Sequence, residues 1–266
     1  FYLLFSHYQG REVKLKTYLP FIKLAIFWAI SIHTVTAFLY SANTGRPFWH
    51  NALLAPRFIA SAFCSGPALA ILILQLVRKL VGYPVRQSAI DTLRVTMTVA
   101  LQITLFFVIA DLFTDFYFEG AHSASARYLF FGLHGAAKLT PWIWSALALL
   151  VIAVTILMIR SLRRNPLLFN LACVLTVIGV WIEKGMGLVI PGYIPTPLGE
   201  IFEYLPNSTE VRISLGIWAI GLLTFTLLAK AGMAIERGQV RLRDDIEEEL
   251  AGLTNDEESE SLKTPT

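Results

Sequence analysis

"VTMTVALQITLFFVIADLFTDFYFEG" occupies residues 95–120, and its reading decides the fold. From Val95 to Ala110 there is no charged residue. Three acids then follow at spacing four: Asp111, Asp115 and Glu119. On a helix this spacing puts all three on one face. An uncharged run of this kind is heading across a bilayer, where a carboxylate is costly and needs a reason.

Five further uncharged windows lie on either side: Leu24–Gly45, Phe58–Val77, Leu139–Ile159, Asn165–Ile182 and Ile213–Ala229. Crossing a bilayer as a helix takes about 20 apolar residues. Three of the six windows reach that length alone, and the others do so once a charged residue near one end is admitted. The chain is 55% hydrophobic and 15% charged over 266 residues, with a mean hydropathy of +0.60. A soluble domain of this length needs far more polar surface. The expected fold is therefore all-α, a polytopic bundle of six transmembrane helices.

Lysine and arginine set the orientation. Arg11, Lys14 and Lys16 precede the first span, and Arg78, Lys79 and Arg86 follow the second. Arg160, Arg163 and Arg164 follow the fourth, and Arg237, Arg241 and Arg243 follow the sixth. With six spans these all lie on one side, against Arg46, Arg127, Lys138 and Arg212 on the other. The positive-inside rule makes both ends cytoplasmic. Residues 1–17 read as a cytoplasmic segment or the end of a preceding helix, since "FYLLF" resembles a helix tail and the chain opens without Met. Residues 18–235 read as the six-helix domain. Residues 236–266 read as a charged cytoplasmic tail, helical at "RLRDDIEEELAGL" and then disordered. On the opposite side, "PGYIPTPLGEIFEYLPN" (191–207) is rich in proline, with an amphipathic turn expected over Leu198–Leu205.

The polar residues inside the spans share one depth. At 1.5 Å per residue, Asp111 lies roughly 8–12 Å below the outer end of the third span. His33 lies in the outer half of the first, with Thr36 and Tyr40 on its face, and Arg57 opens the second. Asp115 lies one turn beyond Asp111, and Glu183 and Lys184 lie near the outer end of the fifth span. A charge at mid-bilayer costs about 2.5–3.5 kcal/mol on insertion scales. Lys184 and Arg212 are expected to snorkel to the headgroups. His33, Arg57 and Asp111 are too deep for that and are expected to share a buried functional cluster.

Such a cluster suits quinol chemistry. A quinol gives up two protons with its two electrons, so its site needs an acceptor for each hydroxyl and a route to water. His33 and Asp111 are the candidate catalytic groups, and His33, Arg57, Tyr40 and Asp111 the candidate quinone-binding set. Asp111, Asp115 and Glu183 form the candidate proton path, with Glu119 at the water interface. A b-type haem would want paired axial histidines, and only His33 is well inside a span. Cys64 and Cys173 are isolated and match no iron–sulfur or zinc spacing, so they read as packing residues. No haem, cluster or metal is expected in this chain, and electrons would pass to another subunit.

At "SIHTVTAFLYSANTGRPFWHNALLAPRFIASAFCSGPALAILI" (31–73) the sequence resembles the NrfD/polysulfide-reductase family of membrane subunits. "LFFVIADLFTDFY" (105–117) and "WIEKGMGLVIPGYIPTPLGEIFEYLP" (181–206) look most like its DsrP branch, tied to sulfite reduction in the Dsr complex. The resemblance implies a haem-free helical bundle exchanging electrons with menaquinone near the outer face. It also implies a ferredoxin-like iron–sulfur partner on that face, with further membrane and cytochrome subunits. Family members commonly have more spans, which suggests that N-terminal helices are missing here.

Two other functions stay open: a proton- or ion-translocating subunit or transporter without quinone chemistry, and a structural anchor. A transporter would favour internal repeats and helix breaks at mid-membrane, and only Pro67 interrupts a span. An anchor would not need an intramembrane His and carboxylates. Nothing points to nucleic acid.

Overall fold

A computed structural model describes residues 2–11, 13–117, 120–196 and 198–240. Glu119 and the expected tail helix lie outside these residues. Nine α-helices account for most of what is described: α1 (Tyr2–Tyr8), α2 (Leu15–Ser41), α3 (Leu54–Val81), α4 (Gln87–Tyr117), α5 (Ala121–Phe131), α6 (Thr140–Met158), α7 (Arg160–Arg164), α8 (Pro166–Lys184) and α9 (Ser208–Glu236). No strand occurs among the described residues beyond an isolated bridge between Leu133 and Ala136. Among these residues six helices are long and apolar enough to cross a membrane: α2, α3, α4, α6, α8 with its extension to Tyr193, and α9. Each expected window falls on one of them, although the first runs past the end of α2 into the following loop.

Local chemistry places the helix ends. α3 stops at Gly82, whose φ of +64° is the left-handed conformation that closes a helix and suits glycine. α6 and α8 each begin with proline in the first turn, where its missing N–H costs nothing. The Asn165 side chain also caps α8 by accepting from the Leu167 N–H at 2.9 Å. α9 opens with a capping box: Asn207 accepts from the Glu210 N–H, and Glu210 accepts from the Asn207 N–H.

Contacts divide the chain into two compact units, one formed by residues 1–28 and those from 206 onward, the other by 29–205. In the first, α1 packs on α9, and α9 has no buried residue. Its apolar surface is all-round, as expected of a helix in lipid. In the second, α3 packs along α4 and α8, and α8 along α6. Cys64, Ala68, Met97, Leu101, Leu150 and Ala172 fill the centre of this unit. Small residues let the helices close: a Cβ on Gly179 would come within 2.7 Å of the Leu150 side chain.

The stretch 121–131, which joins the third and fourth spans, forms the helix α5, with Tyr128 and Leu129 fully packed against α6 and Ile194. Its Ser125 hydroxyl donates to the Ile194 carbonyl at 2.6 Å. Conversely, the turn expected over Leu198–Leu205 does not continue as helix. Gly199 adopts φ +81°, which takes the chain out of the right-handed helical region, and residues 200–207 run without regular structure.

Candidate functional site

α3, α4 and α8 bring the beginning of α3 to the ends of α4 and α8. Arg57 sits in the first turn of α3 and is buried. Its Nη1 donates to Asp111 Oδ2 of α4 at 2.5 Å, and its Nη2 donates to Glu183 Oε1 of α8. Lys184 Nζ lies 3.3 Å from Glu183 Oε2 and 4.6 Å above the ring of Phe58. Asn51, just before α3, donates from Nδ2 to Asp111 Oδ1 at 2.9 Å, while its own Oδ1 accepts from the Leu53 N–H.

Two cations and two carboxylates therefore meet with no net charge. That balance is what lets four ionisable groups be buried, because an unpaired charge there would cost several kcal/mol, on the order of 3–5. Glu183 is completely buried and Arg57 and Asp111 nearly so. Both Asp111 oxygens are engaged, Oδ2 by Arg57 and Oδ1 by Asn51. Asp115, one turn further along α4, is half-buried and has no hydrogen bond or ion pair among the described residues. It is the open carboxylate of the group.

A π-turn over Gly185–Val189 follows Lys184 directly, with the Ile190 N–H reaching back five residues to the Gly185 carbonyl at 3.1 Å. Such turns shift the helix register and leave carbonyls free for other donors. Here the Leu188 carbonyl accepts from Trp49 Nε1 at 2.9 Å. Trp49 in turn packs edge-on against Tyr40 and Tyr193, with ring centroids 5.0 and 4.8 Å apart, and Tyr40 also approaches Phe58. Gly192 permits this packing, since a Cβ there would fall inside the Trp49 indole.

Beside the cluster runs an apolar groove of about 420 Å³ between α3 and α4. Pro56, Ile59, Phe63, Val99, Ile103 and Phe107 line it. Pro56 adjoins Arg57 in the chain, and Phe107 lies one helical turn before Asp111, so the groove reaches the level of the ion cluster.

The structure thus brings together Arg57, Asp111 and Glu183, with Tyr40 in the aromatic layer beside them. It does not bring in His33. That residue is half-exposed on α2, and its Nδ1 pairs with the Ala29 carbonyl one turn back at 2.8 Å. Lys184 corrects the expectation of snorkelling: it is held inside by Glu183 and the Phe58 ring instead of reaching out to headgroups. Arg212 is exposed on α9. Asn51 escapes a reading of the sequence. An Asn shortly before a helix signals a turn, but nothing local tells that its amide reaches Asp111.

Comparison with known proteins agrees with this architecture. The family pattern described as polysulphide reductase, NrfD, matches residues 11–196. The chain is 24% identical over 219 residues to a Halobacterium salinarum protein named as a dimethyl sulfoxide reductase membrane subunit, covering 73% of this chain and 48% of that one. It is 25% identical over 228 residues to the Hdr-like menaquinol oxidoreductase integral membrane subunit of Archaeoglobus fulgidus, covering 78% and 55%. It is 26% identical over 214 residues to a selenate reductase subunit of Mesobacillus selenatarsenatis, covering 75% and 47%. The chain spans about half the length of these relatives. With the pattern matching most of its residues and six helices apt to cross a membrane, the chain is a multi-pass integral membrane protein and belongs to the NrfD, polysulphide reductase, family.

Proposed function

We propose that this chain is the quinone-interacting membrane part of a respiratory redox complex, with the Arg57–Asp111–Glu183 cluster at its quinol site. One observation carries the reading: a charge-balanced, buried cluster stands at the level reached by an apolar groove open to the lipid side. Long apolar walls with a few convergent polar groups are what an isoprenoid quinone needs. The Archaeoglobus relative, by its name a menaquinol oxidoreductase subunit, supports menaquinone as the quinone.

Menaquinol supplies two electrons and two protons. In this reading the groove between α3 and α4 seats the isoprenoid tail, and Arg57 and Asp111 meet the head. Asp111 takes a proton as its bond to Arg57 or Asn51 opens, and Asp115 passes it toward water. Glu183 and Lys184 hold Arg57 in place and keep the site neutral between turnovers. Tyr40 walls the site, and His33, whose Nδ1 donates to the Ala29 carbonyl, is an outlying acceptor through Nε2. The electrons leave to a ferredoxin-like iron–sulfur subunit docked on the outer face, since this chain is proposed to hold no haem or cluster. Both chain ends face the cytoplasm of a prokaryotic inner membrane. The DsrP-like stretches 105–117 and 181–206 favour a Dsr-like complex serving sulfite metabolism, with further membrane and cytochrome subunits.

A fluorescent hydroxyquinoline N-oxide, a menaquinol analogue, tests the site by quenching titration. Ile103→Trp narrows the groove from its lipid side and is expected to weaken binding about tenfold, equivalent to about 1.4 kcal/mol. Equal affinity for the parent, Ile103→Trp and Asp111→Asn would place quinone elsewhere.

A further inference from the structure

At the opposite end of the same helices lies a second pocket that quinone chemistry does not use. It has a volume of about 260 Å³, and Arg78 of α3, Arg94 of α4, and Arg163 and Arg164 of α7 converge on it. Asp91 is its only acidic lining residue. Arg94 is paired with Asp91 at 3.1 Å, and Arg163 donates to the Leu157 carbonyl at 3.3 Å. Arg78 and Arg164 make no hydrogen bond or ion pair among the described residues. The pocket therefore gathers four guanidiniums against one carboxylate. The first residue of α8, Pro166, also lines it, so the positive end of that helix dipole adds to the field. Ile90 and Phe169 give it an apolar floor.

Arginines at helix ends usually extend separately toward headgroups. These four instead border one concavity with an apolar base, and Asp91 alone among its lining residues offsets them. Guanidinium forks fit phosphate oxygens in pairs, and an apolar floor beside them fits the start of an acyl chain. We propose that this pocket binds the phosphodiester headgroup of an anionic phospholipid, which supplies the missing negative charge between α3, α4, α7 and α8. Basic pockets between membrane helices take such headgroups by this electrostatics.

The test is native mass spectrometry of the protein after exchange into vesicles of phosphatidylcholine with a minor share of phosphatidylglycerol, followed by detergent washing. The parent is expected to retain phosphatidylglycerol selectively. Arg78→Gln/Arg163→Gln/Arg164→Gln should reduce retention on the order of tenfold or more, as several lost lipid contacts imply. Lys79→Gln/Arg86→Gln/Arg160→Gln removes the same charge from positions outside the pocket lining and should leave retention near the parent value. Asp91→Asn frees Arg94 and should raise retention; should the pocket variant fail to fold, this comparison decides alone. Equal losses from the two triple variants, or no gain from Asp91→Asn, overturn the proposal. Millimolar inorganic phosphate provides the remaining arm. Pocket-dependent protection by phosphate against thermal denaturation, with phosphatidylglycerol washed away, would make the occupant a soluble anion and overturn the lipid assignment.

Discussion

Arg57 Nη1 donates to Asp111 Oδ2 at 2.5 Å, joining the first turn of α3 to the last two turns of α4. The same guanidinium reaches Glu183, so one side chain ties three membrane helices together. Arg57→Met leaves Asp111 and Glu183 facing each other with only Lys184 to balance them. It is expected to destabilise the protein by about 3–5 kcal/mol, the cost of an uncompensated buried charge. Adding Asp111→Asn restores neutrality and should recover most of that loss. Thermal denaturation in detergent checks both. A double variant no more stable than Arg57→Met would mean that charge balance does not govern this site.

Gly192 and Trp49 allow a steric test. Gly192→Ala places a methyl group inside the volume of the indole and should push Trp49 off Tyr193 and the Leu188 carbonyl. The expected cost is about 1–3 kcal/mol, as for other overpacked interiors. A melting temperature equal to the parent's would show that the loop yields without loss.

The spans are legible because apolar runs of bilayer length have few other uses, and the carboxylate stripe because spacing four is a helix face. Arg57, Asp111 and Glu183 can be gathered by depth alone, since the helices alternate in direction and all three lie near one end. Depth gives no rotation about the helix axis, which is why the sequence groups His33 with them although it turns onto its own helix. Lys184 misleads for a related reason. A lysine near a helix end ordinarily snorkels, and only the approach of Phe58 and Glu183 holds it in. The π-turn after it has no periodic signature, because one extra residue per turn leaves composition unchanged.

Glu203 links the connecting segment before α9 to the turn before α6. Its Oε1 accepts from the N–H groups of Ala137 and Lys138 at 2.9 and 3.1 Å, and Lys138 Nζ lies 3.2 Å from Oε2. Desolvation raises its pKa, but the Lys138 and Ala137 N–H donors and the Lys138 charge outweigh it, so the carboxyl titrates below its ordinary value. A depressed folded-state pKa gives stability that is present above the unfolded value and lost as pH falls through the folded one. Glu203→Gln should therefore melt below the parent at neutral pH, with the difference closing in acid below the usual carboxylate range. A difference that stays constant with pH would assign the effect to shape and not to charge.

Orientation is checked by cysteine labelling. Thr44 and Ser161 are exposed at opposite ends of the spans, whereas Ser123 is buried, with its hydroxyl donated to the Gly120 carbonyl. Thr44→Cys is expected to react with an impermeant maleimide in intact cells, and Ser161→Cys only after permeabilisation. The reverse pattern would put the ion cluster at the cytoplasmic face.

The most direct measurement is menaquinol oxidation by the assembled complex carrying Asp111→Asn. This variant keeps the side chain's shape and its place beside Arg57 and Asn51, and removes the proton-accepting charge. Turnover per assembled complex is expected to fall by about one to two orders of magnitude, the scale of a general base contribution, while the charge left unbalanced on Arg57 and Lys184 lowers the amount assembled. Menaquinol oxidation at the parental rate per assembled complex would contradict a quinol site at Asp111.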